Sequence, residues 1–316
     1  MKQVRVVVQG SLIFDFFAKA KVLPKVGQTV SGTDFGMFSG GKGANQAVQL
    51  ARLGAKVHMI GRVGCDFTGD FLLEKLQAET IDTSFILRDK ESSTSLCAVH
   101  IDEEGRNAII IVPLANARCV AADVEAAEKK IAAADILLTQ CETTTEAMEA
   151  AVNLAAKFGK PVILNPAPAA KVAPEILEKI FILTPNETEA EQITGIAQGA
   201  FEPPEWRKRA AARLREMGAK RVIITLGADG CYYSGDGKEL YVPAFPIKPS
   251  DSTAAGDAFN GALCYALAMG KGVEEAIRYG NAAGAIAASR FGSQASLCTM
   301  KELSSFLTEH EGKVQA

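Results

Sequence analysis

The chain has 316 residues, of which 48% are hydrophobic and 22% are charged, and its net charge is −3. This length and composition fit one large α/β domain or two ordinary domains, with enough apolar surface for a sizeable core. The slightly acidic balance provides no general attraction to nucleic acid or to an anionic membrane surface, so we expect neither as a partner.

The first predicted element is a strand in "MKQVRVVVQGS", residues 1–11, whose apolar run is too short for a signal peptide. No apolar stretch reaches the roughly 18 residues of a membrane helix. The seven cysteines include no C-x-x-C pair, and the histidines are not clustered, which argues against a disulfide framework or a zinc site. We therefore expect buried free thiols in a reducing cytoplasm.

The segments 12–38 and 92–113 alternate or turn like antiparallel strands, and Glu104-Gly105 in the second segment fits a hairpin turn. Both segments interrupt an otherwise regular alternation of helices and strands. We interpret them as one small antiparallel sheet that stands off the main domain as a lid and excludes water from a reacting centre. Ordinary edge strands of the main sheet are the alternative interpretation.

Helices and short apolar strands alternate through the rest of the chain. Helices are predicted in "GGKGANQAVQLARLG" and "DFTGDFLLEKLQAE", and from about residue 120 amphipathic patterns lead into "DILLTQ", "PVILN", "IFILTP" and "KRVIITLG". Near-continuous apolar strands between helices are typical of a parallel sheet covered on both faces. The sequence therefore predicts one domain over residues 1–316, a three-layer αβα sandwich of the α/β class with a β lid.

Polar residues follow several predicted strands, where ligands gather in an open α/β sheet. These residues are Glu142, Asn165, the run "NETE" from Asn186 to Glu189, and Thr225 with "LGADG". Each also has a structural explanation, because such residues often cap the next helix. Asn186, with Glu189 at the capping-box spacing, is the best example of a cap, a role compatible with reaching a metal–phosphate cluster through water.

The glycine-rich run "SGGKGANQA" has the spacing of a P-loop at Gly36, Gly41 and Lys42. Gly43, however, stands where a P-loop needs the Ser or Thr that holds magnesium, and no apolar strand ends just before Gly36. We therefore exclude a P-loop NTPase. The run fits a turn that exposes backbone N–H groups, Lys42 and Asn45 at a helix start, suited to a polyhydroxylated ligand or a phosphate.

The stretch "DSTAAGDAFNGALCYALAMG", residues 251–270, places Asp257 just inside the start of an apolar helix. The small residues 254–256 let backbone N–H groups approach a phosphate closely. A carboxylate beside a bound polyphosphate would be repelled unless it had a task, such as taking a proton from an attacking hydroxyl. The structural alternative is an acid that offsets the helix dipole.

Five segments resemble the ribokinase family of sugar kinases, in the family's order and spacing: "GGKGANQA", "NPAP", "TPNETEAE", "ITLGADG" and "STAAGDAFNGAL". The resemblance covers nearly the whole chain. It implies an ATP-dependent kinase that phosphorylates the primary hydroxyl of a pentose, with ribose as the first choice and 2-deoxyribose, another sugar or a nucleoside as alternatives. A non-catalytic sugar or nucleotide sensor is the rival class, although such a sensor needs no base at Asp257.

The resemblance also implies a role for each matching residue. The catalytic group is Asp257 as the base and the backbone of Ala254, Ala255 and Gly256 as the anion hole. The sugar-binding positions are Ile13, Asp15, Gly41, Lys42, Gly43, Asn45 and Glu142, together with Asp257. The nucleotide positions are Asn186, Thr225, Leu226, Gly227, Gly230 and Asn281, together with Gly256.

Two metal ions and a subunit contact follow from the same resemblance. Magnesium would arrive with ATP, and Glu189 would reach it through water. Potassium would be held by the loops that contain Asp251, Thr253, Ala287, Arg290, Gly292 and Ser296. The lid would close over the sugar and pair two subunits in a homodimer.

Three departures from the family pattern leave the identity of the sugar open. Ile13, in "GSLIFD", replaces a sugar-facing asparagine, and some relatives that accept 2-deoxyribose carry an apolar residue there. Leu114, in "PLANARC", stands where the family usually has glycine, near the return of the lid to the main domain. Ala295, in "FGSQAS", stands where a proline is usual.

Overall fold

The computed structural model of the protein describes residues 3–310, so residues 1–2 of the predicted first strand and residues 311–316 of the predicted domain lie outside it. Within this range the strands are β1 (Arg5–Gln9), β2 (Ile13–Ala20), β3 (Gly32–Gly40), β4 (Lys56–Gly64), β5 (Asp82–Asp89), β6 (Leu96–Ile101), β7 (Asn107–Val112), β8 (Ile136–Gln140), β9 (Val162–Asn165), β10 (Ile182–Leu183), β11 (Arg221–Thr225), β12 (Cys231–Gly235) and β13 (Lys238–Val242). The helices in the same range are α1 (Lys42–Arg52), α2 (Phe67–Ala78), α3 (Ala121–Glu125), α4 (Glu128–Ala133), α5 (Thr145–Lys157), α6 (Pro174–Leu177), α7 (Glu187–Thr194), α8 (Pro203–Glu216), α9 (Ala255–Ala268), α10 (Val273–Ala288) and α11 (Met300–His310). None of these helices is long and apolar enough to cross a membrane.

The main sheet contains nine strands in the order β13-β12-β11-β10-β9-β8-β1-β4-β5. The seven strands from β11 to β5 run parallel, as the alternation of helices and apolar strands predicts. β12 and β13 add an antiparallel hairpin at one edge that is absent from the predicted elements. Its turn contains Asp236 and Gly237, both with positive φ (52° and 71°), which is a strong hairpin signal in the sequence.

The core forms two layers because alternate residues of a strand point to opposite faces of the sheet. Val6 and Val8 of β1 belong to the cluster that includes α1, α2, α9, α10 and α11. Val7 belongs to the cluster that includes α3 to α8 on the other face. β8 divides in the same way, with Leu138 in the first cluster and Leu137 in the second. The predicted three-layer αβα sandwich is confirmed.

The second sheet is the lid, which consists of β2, β3, β6 and β7 in the spatial order β3-β2-β6-β7. Its strands lie in the predicted segments 12–38 and 92–113, except that β3 continues to Gly40. The pairs β2–β3 and β6–β7 are antiparallel, as predicted, whereas β2 and β6 run parallel. β2 follows β1 in the chain, and β6 follows β5. Because β1 and β5 are parallel strands of the main sheet, the chain enters β2 and β6 in the same direction.

Two glycines allow helices α1 and α9 to approach the strand ends and each other. A Cβ atom on Gly43 would lie 2.6 Å from the backbone of Gly10 and Ser11, so α1 can begin this close to β1 only with glycine there. A Cβ atom on Gly261 of α9 would lie 2.8 Å from the side chain of Gln49 in α1. The first turns of both helices are therefore held beside the carboxyl ends of the parallel strands.

Leu114, which stands where the resembled family usually has glycine, adopts a strained backbone conformation. Its φ of 40° lies in the left-handed region, which costs a non-glycine residue about 1–2 kcal/mol. Glycine, usual in the resembled family at this position, would adopt this conformation without that cost. The neighbouring Asn116 holds the segment in place, because its amide exchanges hydrogen bonds of 3.2 and 3.0 Å with the backbone of Leu12.

Candidate active site

Asp257 lies in the first turn of α9, and its carboxylate is buried. Its Oδ2 accepts a hydrogen bond from Asn45 Nδ2 and its Oδ1 accepts one from Gln46 Nε2, both at 2.9 Å. Burial raises the pKa of Asp257, while the Lys42 ammonium and these two amides oppose the shift. A carboxylate held in one orientation, with its affinity for a proton increased, suits a general base.

The backbone that leads into α9 leaves amide groups unpaired. Ala254 precedes the helix with a left-handed φ of 58°, a strained conformation of the kind that clusters at functional sites. The N–H of Ala255 donates to Ser252 at 3.2 Å, but those of Gly256 and Asp257 donate to no other residue within 3–310. A Cβ atom on Gly256 would meet nothing within 4 Å, so the helix start is open, as an anion site requires.

A cavity of about 200 Å³ opens beside this helix start. The predicted site residues in its wall are Lys42, Asn186, Glu189, Thr225, Ala254, Gly256 and Asp257, together with the strand-end candidate Asn165. The other wall residues are Ala167, Thr184, Ser252 and Asn260. The cavity thus combines the ends of β9 and β11 with the starts of α1, α7 and α9. A second groove of about 600 Å³, between α10 and α11, contains no predicted site residue.

The turn between β3 and α1 is fixed by a carboxylate from the end of β8. Glu142 Oε2 accepts hydrogen bonds from Ser11 Oγ at 2.5 Å and from the N–H of Lys42 at 2.9 Å. Gly41 precedes the helix with a φ of 90°, which only glycine adopts readily. Burial lowers the pKa of the Lys42 ammonium, but three nearby carboxylates, Asp257 first among them, raise it above its usual value. Lys42 therefore remains a cation in the cavity wall.

Ile13 and Asp15 lie on one face of β2, and Phe14, on the other face, belongs to the main core. Ile13 is buried and brings no polar group to this face. Asp15 lies against Gly40, where a Cβ atom would come within 2.0 Å of its Oδ2. Burial, and then the charge of Glu142, raises the pKa of Asp15 to about 7. The predicted sugar-binding carboxylate therefore titrates in the neutral range instead of the acid range.

Asn186 and Glu189 form the predicted capping box at the start of α7. Asn186 Oδ1 accepts from the N–H of Glu189, and Glu189 Oε2 accepts from the N–H of Asn186, both at 2.8 Å. An isolated parallel bridge joins Asn186 to Thr225, which places both residues at the same edge of the sheet. Burial raises the pKa of Glu189, although the Asn186 amide and the Lys42 charge oppose the shift.

The predicted nucleotide positions that lie outside the cavity wall are Leu226, Gly227, Gly230 and Asn281. Gly227 and Gly230 have positive φ (53° and 100°), and a Cβ atom on Gly230 would lie 2.2 Å from the carbonyl oxygen of Val242. Asn281 donates to the carbonyl oxygens of Val242 and the next residue, at 3.3 and 3.1 Å, and accepts from Cys231 Sγ at 3.0 Å. Gly230 and Asn281 thus lie against the end of β13, and contact of the four residues with a nucleotide stays a prediction.

The predicted potassium site joins two loops through Asp251. Its Oδ1 accepts from the N–H and the hydroxyl of Thr253, at 2.9 and 2.6 Å. Its Oδ2 accepts from the N–H of Gly292 at 3.0 Å, which ties residues 251–253 to the loop after α10. Burial raises the pKa of Asp251, but these hydrogen bonds outweigh it and hold the pKa below its usual value.

The other predicted potassium residues have side chains that are buried or engaged. Ala287 is buried in α10, Arg290 is paired with Glu302 at 2.6 Å, and the Ser296 hydroxyl donates to the Ser293 carbonyl at 2.7 Å. Backbone carbonyl oxygens are therefore the ligands that Ala287 and Arg290 can offer. Residues 3–310 contain no group of three or more His, Cys, Asp or Glu side chains that could hold a metal ion.

The structure adds buried polar residues to the site that the motifs did not identify: Gln46, Gln140, Thr184 and Asn260. Gln46 touches Asp257 directly, and Asn260 lies in the cavity wall. Helical spacing is the signal that would have found Gln46, because it shares a helix face with Lys42 four positions earlier.

Residues 3–300 match the family described as pfkB family carbohydrate kinase. A ribokinase of Haemophilus influenzae is 39% identical over 303 residues, which cover 96% of this chain and 98% of that protein. A deoxyribokinase of Salmonella typhi is 30% identical over 308 residues, which cover 97% of this chain and 99% of that protein. The solved structure of Arabidopsis thaliana ribokinase complexed with ribose and ATP has a TM-score of 0.89 and 30% identity, and covers 97% of this chain and 99% of that one.

The chain therefore belongs to the pfkB family of carbohydrate kinases. The resemblance to the ribokinase family, which five sequence segments predict, is confirmed. The ribokinase-like fold is confirmed with it. Enzymes of this class transfer a phosphoryl group to a sugar hydroxyl.

Proposed function

We propose that this chain transfers the γ-phosphoryl group of ATP to the primary hydroxyl of a pentose, with ribose as the acceptor. One observation carries the proposal: the Asp257 carboxylate, oriented by Asn45 and Gln46, lies at a helix start that opens onto a cavity. The relatives support the same acceptor and donor, because the Haemophilus protein is a ribokinase and the Arabidopsis structure contains ribose and ATP.

In this reaction Asp257 takes the proton of the primary hydroxyl while the hydroxyl oxygen forms a bond to the γ-phosphorus. The bond from that phosphorus to the oxygen it shares with the β-phosphate breaks, and ADP keeps the oxygen. The free amides of Gly256 and Asp257 face the negative charge that spreads over the transferred group. Of the predicted anion hole, Ala255 is the member whose N–H already has an acceptor, Ser252.

Polar groups for the other sugar hydroxyls come from α1 and the lid. Asn45 Oδ1 is buried without a hydrogen-bond partner among the described residues, so it can accept a hydroxyl hydrogen. Asp15 supplies a carboxylate from β2, and Lys42 supplies a cation from the cavity wall. Gly41 and Gly43 support binding indirectly, because they let the turn that carries these groups form.

A second acceptor, 2-deoxyribose, is favoured by Ile13. A pocket that hydrogen-bonds a hydroxyl rejects an analogue without it, because the pocket's polar group is left unpaired. Ile13 has no polar group to leave unpaired, and a deoxyribokinase is among the relatives. We therefore expect weak discrimination between the two pentoses.

Magnesium and potassium are the proposed ions. The Glu189 oxygens accept hydrogen bonds from Asn186 but keep lone pairs for a water molecule on the magnesium ion that arrives with ATP.

Asp251, which is ionised and accepts a hydrogen bond from Gly292, suits a monovalent cation such as potassium. The charge of that cation would polarise the peptides of the helix start. Equal turnover in potassium and in a bulky organic cation buffer would reject the potassium proposal.

We further propose one kinase domain per chain, a cytoplasmic location, and a homodimer that pairs through the lid. All seven cysteines are free thiols, which fits a reducing compartment. Five of them are buried as expected, but Cys141 is half-buried and Cys65 is exposed, so the expectation of burial is wrong for these two. β7 is an edge strand exposed on both faces, and Ile109, Ile110 and Ile111 are 51%, 61% and 52% exposed. Apolar edge strands associate unless they are covered. Light scattering should give the mass of a dimer for the native chain and of a monomer for Ile110→Lys.

A coupled ADP-release assay tests the activity. We expect turnover with ATP and ribose, a smaller but measurable turnover with 2-deoxyribose, and much less with hexoses and nucleosides. Preferred turnover of a nucleoside or a hexose would replace the proposed acceptor. Binding of sugar and ATP without any ADP release would indicate a sensor.

A further inference from the structure

Gln46 lies in the second turn of α1 with its side chain completely buried. Its Nε2 donates to Asp257 Oδ1 at 2.9 Å and to Asn165 Oδ1 at 3.2 Å. Its Oε1 accepts from Gln140 Nε2 at 2.7 Å. An amide that is satisfied on both sides in a buried network has a single orientation, so Gln46 is a fixed support for the Asp257 carboxylate.

The hydrogen bonds continue from Asn165 to the start of α9. Asn165 Nδ2 donates to the Thr184 carbonyl at 3.0 Å, and the Thr184 hydroxyl donates to Asn260 Oδ1 at 2.6 Å. Asn260 Nδ2 then donates to the carbonyl of Gly256 at 2.8 Å. That carbonyl belongs to the peptide whose N–H is the open amide of Asp257. One buried network therefore holds both the carboxylate and the backbone amide of the same residue.

We propose that Gln46 is a positioning residue for phosphoryl transfer, which aims the Asp257 carboxylate and, through Asn165, links it to the open helix start. The inference rests on the proposed function. Asn45 holds Oδ2 and Gln46 holds Oδ1, and these two anchors together prevent rotation of the carboxylate about its bond to Cβ. With Gln46 removed, one anchor remains and the carboxylate can turn away from the acceptor hydroxyl. Small errors of this kind in a reacting group cost about 10²-fold in rate.

Gln49 provides a matched control in the same helix. It is also completely buried, and its amide exchanges hydrogen bonds of 2.9 and 3.2 Å with the backbone of Cys298. It makes no hydrogen bond to Asp257 or to the residues that lead to Gly256. Gln46→Met and Gln49→Met thus remove the same chemical group from equally buried positions. Of the two positions, Gln46 lies in the proposed positioning network and Gln49 lies outside it.

The first measurement compares kcat, the KM values for ribose and ATP, and the melting temperature of the two variants. We expect both variants to lose stability. Gln46→Met should lower kcat about 30- to 100-fold with little change in either KM, whereas Gln49→Met should retain kcat within about threefold. A wild-type kcat in Gln46→Met, or equal losses of kcat in both variants, would overturn the inference.

The second measurement repeats Gln46→Met in a chain that already carries Asp257→Asn. If Gln46 acts through the carboxylate, its substitution should lower the residual kcat by less than about twofold in this background, because interacting residues are not additive. The full 30- to 100-fold loss on top of Asp257→Asn would mean that Gln46 acts elsewhere, and would reject the positioning role.

Gln46→Glu keeps the test decisive if Gln46→Met does not fold. It preserves the size of the side chain and the acceptor for Gln140, but replaces the donor to Asp257 by a carboxylate. We expect at least the same loss of kcat, and an unchanged kcat would overturn the inference. Wild-type turnover of ribose is measured first in every series. If the wild type does not turn over ribose, the proposed function is rejected. If the wild type turns over ribose and the Gln46 variants have the same kcat, only the positioning role is rejected.

Discussion

The two helices that begin at the site, α1 and α9, use their first-turn amides in opposite ways. In α1 the N–H groups of residues 42–44 donate to Glu142 and Ser11, at 2.9, 3.3 and 3.0 Å. In α9 the N–H groups of Gly256 and Asp257 find no acceptor within residues 3–310. The start of α1 is therefore closed by the protein, so the prediction that the glycine-rich turn exposes its backbone N–H groups is wrong. The start of α9 is left open.

This difference separates two tasks that a helix start can perform. Amides that are satisfied by the protein stabilise the fold, and amides that stay free can bind an anion. The closed start of α1 serves as a rigid platform whose side chains, Lys42 and Asn45, face the site. The open start of α9 contributes its backbone and one carboxylate. Changes at α9 should therefore affect the rate most, and changes at the cap of α1 should affect stability most.

Asp257→Asn gives the largest expected effect. Loss of the base should lower kcat by about 10²–10⁴, because proton transfer from the hydroxyl loses its acceptor. Loss of an acid near a helix N-terminus should cost only about 0.3–1 kcal/mol of stability. ATP binding should persist, since one repulsion with the phosphates disappears. Steady-state kinetics, nucleotide titration and thermal melting measure the three quantities.

Two results would contradict this assignment of Asp257. Unfolding of the Asp257→Asn variant would indicate a structural cap, and near-normal turnover with unchanged melting would show that another group takes the proton. Either result would also remove the distinction between the two helix starts.

The pH dependence of sugar binding should give the second largest effect. Asp15 has its pKa raised to about 7, first by burial and then by Glu142, so its carboxylate forms only as the pH rises through that value. The ionised form accepts hydroxyl hydrogen bonds, so kcat/KM for ribose should rise about tenfold per pH unit below 7 and level off above it. Asp15→Asn should show a low kcat/KM without this inflection. An inflection that survives in the variant belongs to another group.

Ile13→Asn tests the other residue on the same face of β2. One restored hydrogen bond is worth about 1 kcal/mol, so the preference for ribose over 2-deoxyribose should rise about fivefold. The ratio of the two kcat/KM values measures this preference, and Ile13→Val, which adds no polar group, is the matched control. An unchanged ratio in Ile13→Asn would show that residue 13 does not contact the 2-hydroxyl.

The smallest expected effects compare the two helix starts as parts of the fold. Ser11→Ala removes the hydroxyl that accepts a hydrogen bond from the N–H of Gly43 at the start of α1, and should cost about 1 kcal/mol of unfolding free energy. Ala254→Gly relieves the left-handed backbone before α9 and should change that free energy by less than about 1 kcal/mol, in the stabilising direction. Urea unfolding measures both changes. A destabilised Ala254→Gly variant would mean that the open start of α9 is not strained.

Features formed by neighbours along the chain follow most directly from the sequence. The alternation of helices and apolar strands predicts the parallel sheet, and Asn186 with Glu189 predicts the cap of α7 that the structure contains. The β12–β13 hairpin is missing from the prediction even though Asp236-Gly237 is a local signal for its turn. The parallel pairing of β2 with β6 has no such signal, because five other elements separate the two strands.

Contacts between distant segments required the folded chain. Gln46 and Asp257 are 211 positions apart, and they meet because α1 and α9 pack on one face of the sheet. The pKa of Asp15 depends on burial and on Glu142, which reaches it from the end of β8. Periodicity, capping and turn residues act over a few positions, so they specify helices, strands and their ends. The spatial order of the strands in the sheet decides which side chains share a cavity, and that order depends on packing across the whole sheet.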